Sequence, residues 1–266
     1  MDTNRPNPIP KLAGILVPAL ALLATACGDQ LRKPARASTS LARFAEERKD
    51  STARVLPPSA HAQGKSQVEL SEDFQRYNYR IPAADHPALN PDADCAAGQS
   101  GPIFNAPLFP FSGVLTARTC LVPNGKHVFF TVTGVFNDFP CPDPTFHPAP
   151  GQALEDFLRE GAIAGNVFFN PANFDLFVDD VPVDIAAHRI TTPLFSFVGD
   201  PSLSTPAFDI CVNGQQQVGV FDGWQILIAP PSPGQHTIVL RSKASGRSRT
   251  LTLVVQNEDD DDGGED

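Results

Sequence analysis

Between residues 67 and 256 the helical period is almost absent and a two-residue apolar period recurs, which restricts most of the chain to half-buried strands. Across 251–255, Leu251, Leu253 and Val255 share one face, while Thr250 and Thr252 fall on the other. Across 236–240, Ile238 and Leu240 point inward, and Thr237 and Arg241 outward. Pro233-Gly234 before this run and Ser245-Gly246 after it are turn punctuation, so the two runs form a terminal hairpin. Trp224 to Ile228 reads likewise, entered through Asp222-Gly223 and ended by Pro230-Pro231. Residues 126–135 are rich in Phe, Val and Thr, which suit a pleated surface. The runs 174–178 and 181–185 flank Asp179-Asp180, a tight hairpin in which Asp180 fits the required positive φ less well than Gly.

One stretch breaks the period. In 152–161, Leu154, Phe157 and Leu158 share a helical face and Gly161 is a helix stop. With 27 Pro and 19 Gly in 266 residues, short elements and many turns are expected. The expectation is therefore an all-β single domain over 67–257, a β-sandwich or jelly roll with one short helix and no internal repeat. About 190 residues can bury one core.

The N-terminus reads as an address. Arg5 and Lys11 precede an apolar run from Leu12 to Ala26, too short to span a bilayer but suited to a secretory signal over 1–26. The sequence Leu22-Leu23-Ala24-Thr25-Ala26-Cys27-Gly28 resembles a bacterial lipobox, in which Cys27 is lipidated; Ala24 departs from the usual Leu. Ala24-x-Ala26 equally suits ordinary signal cleavage. Cysteine parity favours the anchor, because five Cys leave one over in an oxidising compartment. With Cys27 lipidated, Cys95, Cys120, Cys141 and Cys211 remain for two disulfides. Of three possible pairings, Cys120 with Cys141 and Cys95 with Cys211 is preferred. The protein is expected to be exported and anchored in a bacterial cell envelope, at the outer membrane or cell surface, with soluble secretion as the alternative.

Charge is sorted along the chain. The formal net charge is −10, and an acidic chain does not suit nucleic acid, which needs a basic surface. Residues 28–66 carry +4 with Phe44 as their one aromatic, a composition too poor in apolar surface to fold. Residues 27–66 are read as a flexible tether with a transient helix between Ser40 and Lys49; its basic groups can touch anionic head groups. Residues 258–266 hold seven acids and no base, a self-repelling tail. That tail can collect calcium loosely but lacks the register of a calcium loop.

The candidate metal ligands lie on one proline-stiffened loop: Asp138, Asp143 and His147. Their spacing matches no standard zinc motif. His127, His188 and His236 read as partly exposed imidazoles rather than bases. The chain has no Gly-x-Ser-x-Gly elbow, no phosphate-cradling glycine loop and no dinucleotide fingerprint. Its acids permit a glycosidase pair without selecting one. Trp224 aligns with Ile226 and Ile228, so it reads as core rather than as a sugar platform.

Over residues 95 to 241 the chain resembles a family of uncharacterised secreted bacterial proteins. The resemblance rests on Cys95, Gly98-Gln99, Gly101-Pro102, the run Arg118 to Phe130 and Cys141. It continues through Val178 to Val183, Thr192 to Phe197, Asp222-Gly223-Trp224 and Pro233 to Ile238. The chain departs from the family at Ile103 to Ala106, where the family is Trp-rich, and at Asp180, where it has Gly. The resemblance implies a secreted β domain and supplies no catalytic residues. The functional expectation is a non-enzymatic envelope lipoprotein with a binding or structural role. Its partners would be the membrane, through the lipid, and an envelope protein or polysaccharide; no cofactor is expected beyond loosely held calcium. The alternative is a carboxylate-dependent hydrolase or a carbohydrate-binding module acting on envelope polysaccharide.

Overall fold

The computed structural model describes residues 52–108, 117–206 and 208–256, and these are mostly β, with three sheets and two helices. The expected signal over 1–26, Cys27, the helix between Ser40 and Lys49 and the tail over 258–266 lie outside the described residues. Among the described residues no helix is long and apolar enough to cross a membrane.

One five-stranded sheet is built on two long antiparallel strands, β5 (His127–Phe139) and β10 (Gln216–Ile228). β3 (Ile103–Asn105) pairs parallel with β5, while β8 (Arg189–Thr191) and β9 (Phe195–Val198) pair with β10. The second five-stranded sheet runs β4 (Ala117–Val122), β12 (Ser248–Val255), β11 (Gly234–Ser242), β6 (Phe174–Val178), β7 (Val181–Val183). The terminal hairpin is thus β11–β12, and β4 joins β12 in parallel. Asp179 and Asp180 make the tight β6–β7 turn with φ of 47° and 63°, so both aspartates adopt the positive φ that this turn needs. A two-stranded sheet, β1 (His61–Ala62) with β2 (Lys65–Ser66), completes the set.

The main core is shared by the two large sheets: Val128, Phe130 and Ile226 from one, with Ile238, Leu251 and Leu253 from the other. The opposite face of the β5–β10 sheet is covered too. There Phe129 and Leu227 pack with Leu70 and Phe74 of α1 (Gln67–Arg80), and Phe136 packs with Tyr79. Covering both faces explains why every residue from Gly219 to Ile228 is buried. The two strands meet closely at the cross-strand pair Gly134–Gly223. A Cβ on Gly223 would stand 2.5 Å from both the Gly134 Cα and the Thr133 carbonyl oxygen, so no larger residue fits.

Three expectations need correction. The first concerns helices: there are two, because α1 occupies the start of what reads as a β domain. Its N-terminus carries a capping box, with the Ser66 amide donating to Glu69 Oε2 and the Glu69 amide to Ser66 Oγ. Its buried stripe, Gln67, Leu70, Ser71, Phe74 and Gln75, is half polar, which hides the helical period from a hydrophobicity reading. The expected helix is α2 (Leu154–Gly165), and it runs past Gly161, which lies against Asn137. Second, residues 53–56, expected to lie in the tether, pack onto the β framework. Ala53 and Leu56 are buried, and Val55 bridges Ile228.

Third, the disulfides are Cys95–Cys120 and Cys141–Cys211. The topology explains the difference. The segment around Pro87 to Cys95 is bound to β4, where Arg118 donates to the Pro87 and Ala93 carbonyls, and that brings Cys95 to Cys120. Cys141 follows the end of β5 and Cys211 precedes β10, whose Val218 pairs with Phe139, so these two share one end of the sheet. Two disulfides in a β-rich chain suit an oxidising compartment.

Candidate functional site

Three clusters of ionisable side chains are built into the β framework. The first centres on Asp222 of β10, which is fully buried. Arg189 on the neighbouring β8 grips it with two bonds, Nε to Oδ1 at 3.2 Å and Nη2 to Oδ2 at 2.8 Å. Thr191 Oγ1 donates to Oδ1 at 2.5 Å, and Asn166, at the end of α2, donates to the Asp222 backbone and side chain. The bond with Asp222 pushes the Arg189 pKa up from its ordinary value. The same guanidinium lies 5.4 Å from the centre of the Trp224 ring. The cluster ties β8, β10 and α2 together, and its carboxylate is consumed by donors.

The second cluster joins the β6–β7 turn to β11. Asp179 Oδ2 lies 2.7 Å from His236 Nδ1, and His236 Nε2 lies 2.9 Å from the Ser232 carbonyl oxygen. His236 is buried, not partly exposed as its place beside a turn suggests. With both ring nitrogens engaged, it has no free lone pair with which to act as a base.

The third cluster holds Asp138 of β5 and Asp209. Gln217 Nε2 donates to Asp138 Oδ2 at 2.9 Å, and the Tyr79 hydroxyl donates to Asp209 Oδ2 at 2.8 Å. Ligand-type atoms of Asp138, Asp209 and Cys211 all lie within 4.8 Å of one another, but the Cys211 sulfur is committed to its disulfide with Cys141 and offers no thiolate. Burial, aided by the neighbouring Asp209, pushes the Asp138 pKa up to about 8, so its carboxyl is protonated at neutral pH.

Of the sequence-predicted loop ligands, Asp138 points into this buried corner. Asp143 and His147 are exposed and not part of it; Asp143 accepts from the Thr145 amide and hydroxyl, and His147 Nδ1 sits against the Pro148 carbonyl. His188 is buried, and that burial lowers its pKa. Trp224 is core, 6% exposed among Ile226 and Ile228. Asp209 and Arg189 are functional groups that sequence reading missed. Asp209 stands two residues before Cys211, whose partner Cys141 stands three after Asp138, so the correct disulfide would have exposed the pair.

Two surface grooves are open. One of about 390 Å³ lies along Asp92, Asp94, Arg118 and Leu121; the other, of about 340 Å³, lies along Phe174, Phe177, Pro182 and Lys243. Neither is lined by Asp138, Asp179, Asp222 or His236.

No protein-family model and no curated protein matches the chain. The solved structure "Solution Structure of Amebosin" is similar over 52% of this chain and 89% of that one, at 15% identity. Its TM-score of 0.18 carries no argument.

Proposed function

We propose that this chain is an exported, lipid-anchored envelope protein whose β-sandwich domain serves binding or structure rather than catalysis. The observation that supports this reading is that the buried polar chemistry is turned inward: Asp222 and His236 spend their functional groups on neighbouring elements of the same fold. The two disulfides fit export. The lipobox-like Cys27 supplies the anchor, and the acidic balance, at −10, disfavours nucleic acid as a partner. An envelope protein or polysaccharide is the partner class in this reading; the family resemblance over residues 95 to 241 implies a secreted β domain and no more. Metabolic labelling of the full chain with a radioactive fatty acid tests the anchor: label is expected on the wild type and lost in Cys27→Ser. Equal labelling of both removes the anchor. A melting screen of the full chain against envelope polysaccharides, calcium and EDTA tests the binding role; a ligand at a hundred times its Kd raises stability by about 2.7 kcal/mol.

One observation favours a hydrolase as the second reading. Asp138, whose pKa burial raises to about 8, lies beside a second carboxyl, Asp209. A raised-pKa acid next to another carboxyl is a pairing that carboxylate hydrolases use. Turnover of an envelope polymer that disappears in Asp138→Asn would establish it. Against it stands the burial of Asp138, 2% exposed and outside the lining of both grooves described above.

A further inference from the structure

We propose that His236 is a proton-held latch that fastens the N-terminal segment to the domain where the chain enters it. Both imidazole nitrogens face oxygen acceptors, Asp179 Oδ2 at 2.7 Å and the Ser232 carbonyl at 2.9 Å. A neutral imidazole carries one N–H and can satisfy only one of them, so the ring makes both contacts as imidazolium. Asp179 is in turn surrounded by donors. The Thr237 amide reaches Oδ1 at 2.7 Å, and the Ala53 amide reaches Oδ2 at 2.7 Å. The proton on His236 therefore holds the carboxylate that holds Ala53.

What Asp179 fastens is a short strand-like segment. The Leu56 amide donates to the Leu227 carbonyl at 2.8 Å, and the Ala229 amide donates to the Arg54 carbonyl at 2.9 Å. Val55 bridges Ile228 between them. The Asp179 carboxylate is the charged group acting on the imidazole. From the other packed elements come the Ser232 carbonyl and, across the strand pair, Leu253 of β12.

Loss of the proton turns a nitrogen lone pair toward one of the two oxygens and leaves Asp179 without its counter-charge. Residues 53–56 then detach, releasing roughly 13 Å of chain at about 3.3 Å per residue. The direction of titration follows from the contacts. The bond to Asp179 raises the His236 pKa above its ordinary value, against the effect of burial. Burial alone would raise Asp179, but the bonds from His236, Ala53 and Thr237 outweigh it and hold that carboxyl below its ordinary value. The latch is closed between those two values, and it opens as pH rises through the raised His236 value.

The test is a pH titration of the full chain by NMR, reading the His236 ring nitrogens and the hydrogen exchange of the Ala53 and Leu56 amides. At pH 6.5 both His236 nitrogens should show imidazolium shifts. Between the ordinary imidazole value and the raised midpoint, protection of the two amides, corrected for intrinsic exchange, should fall tenfold per pH unit, the slope for one released proton, and level off above it. His236→Gln should abolish that dependence and leave the two amides weakly protected, with Phe130 and Ile226 unchanged. A neutral His236 tautomer at pH 6.5, or amide protection that ignores the titration, overturns the latch. If His236→Gln fails to fold, the wild-type titration decides alone.

Discussion

Asp138 and Asp222 sit on paired strands of one sheet, 2% and 0% exposed, yet they solve the problem of a buried carboxyl in opposite ways. Asp222 is met by a guanidinium, a hydroxyl and an amide, so its charge is compensated. Asp138 is met by Gln217 on one side and by a second acid, Asp209, on the other. It keeps a proton instead. For Asp138 burial is the larger cause and the second acid adds to it, with no cation at hand among the described residues to offset either.

The largest effect should come from the acid pair's corner, which is stapled by Cys141–Cys211. Closing a separation of 70 residues contributes about 4.4 kcal/mol in the chain-entropy account, against about 3.5 for the 25-residue separation of Cys95–Cys120. Replacing Cys141 and Cys211 by Ala should thus cost more in urea unfolding than replacing the other pair. Equal losses would mean that the staple does not govern this corner.

Asp222→Ala should cost about 1–3 kcal/mol, because the donors Thr191 and Asn166 lose their acceptor while the half-exposed Arg189 turns to water. A loss under about 1 kcal/mol would show that the ion pair adds nothing beyond its surroundings. Asp138→Asn should act oppositely. In the wild type the raised Asp138 pKa gives stability that is full below the ordinary carboxylate range and is lost as pH climbs from about 4 through about 8. The slope is at most about 1.4 kcal/mol per pH unit. The Asn variant should flatten that slope and melt at the higher temperature at pH 9. The smallest change is Thr191→Val, which removes one hydroxyl bond to Asp222 and should cost about 1 kcal/mol.

Much of the β framework is legible in the sequence. Alternation over 236–240 and 251–255 places β11 and β12 with their correct inward faces, and Asp179-Asp180 marks the β6–β7 turn. Trp224 reads as core from its neighbours two and four residues on, and it is core. What stays hidden is of two kinds. The α1 helix buries Gln67, Ser71 and Gln75 on the face that a periodicity argument expects to be apolar. The clusters depend on partners far apart in sequence: Arg189 reaches Asp222 across 33 positions, and Asp209 meets Asp138 at the end of the sheet where Cys211 is joined to Cys141. Nothing local to Asp138 distinguishes it from Asp143, five residues on, yet one is buried and the other exposed.

The β6–β7 hairpin has a consequence for crowding. A two-residue turn makes Val178 and Val181 a hydrogen-bonded pair, so the backbone nitrogen at position 182 faces away from β6, toward the open rim of the sheet. That position is Pro182, which has no hydrogen to offer. A strand from a neighbouring molecule finds a gap in the ladder where it would begin to pair. This rim is thereby blunted against edge-to-edge pairing.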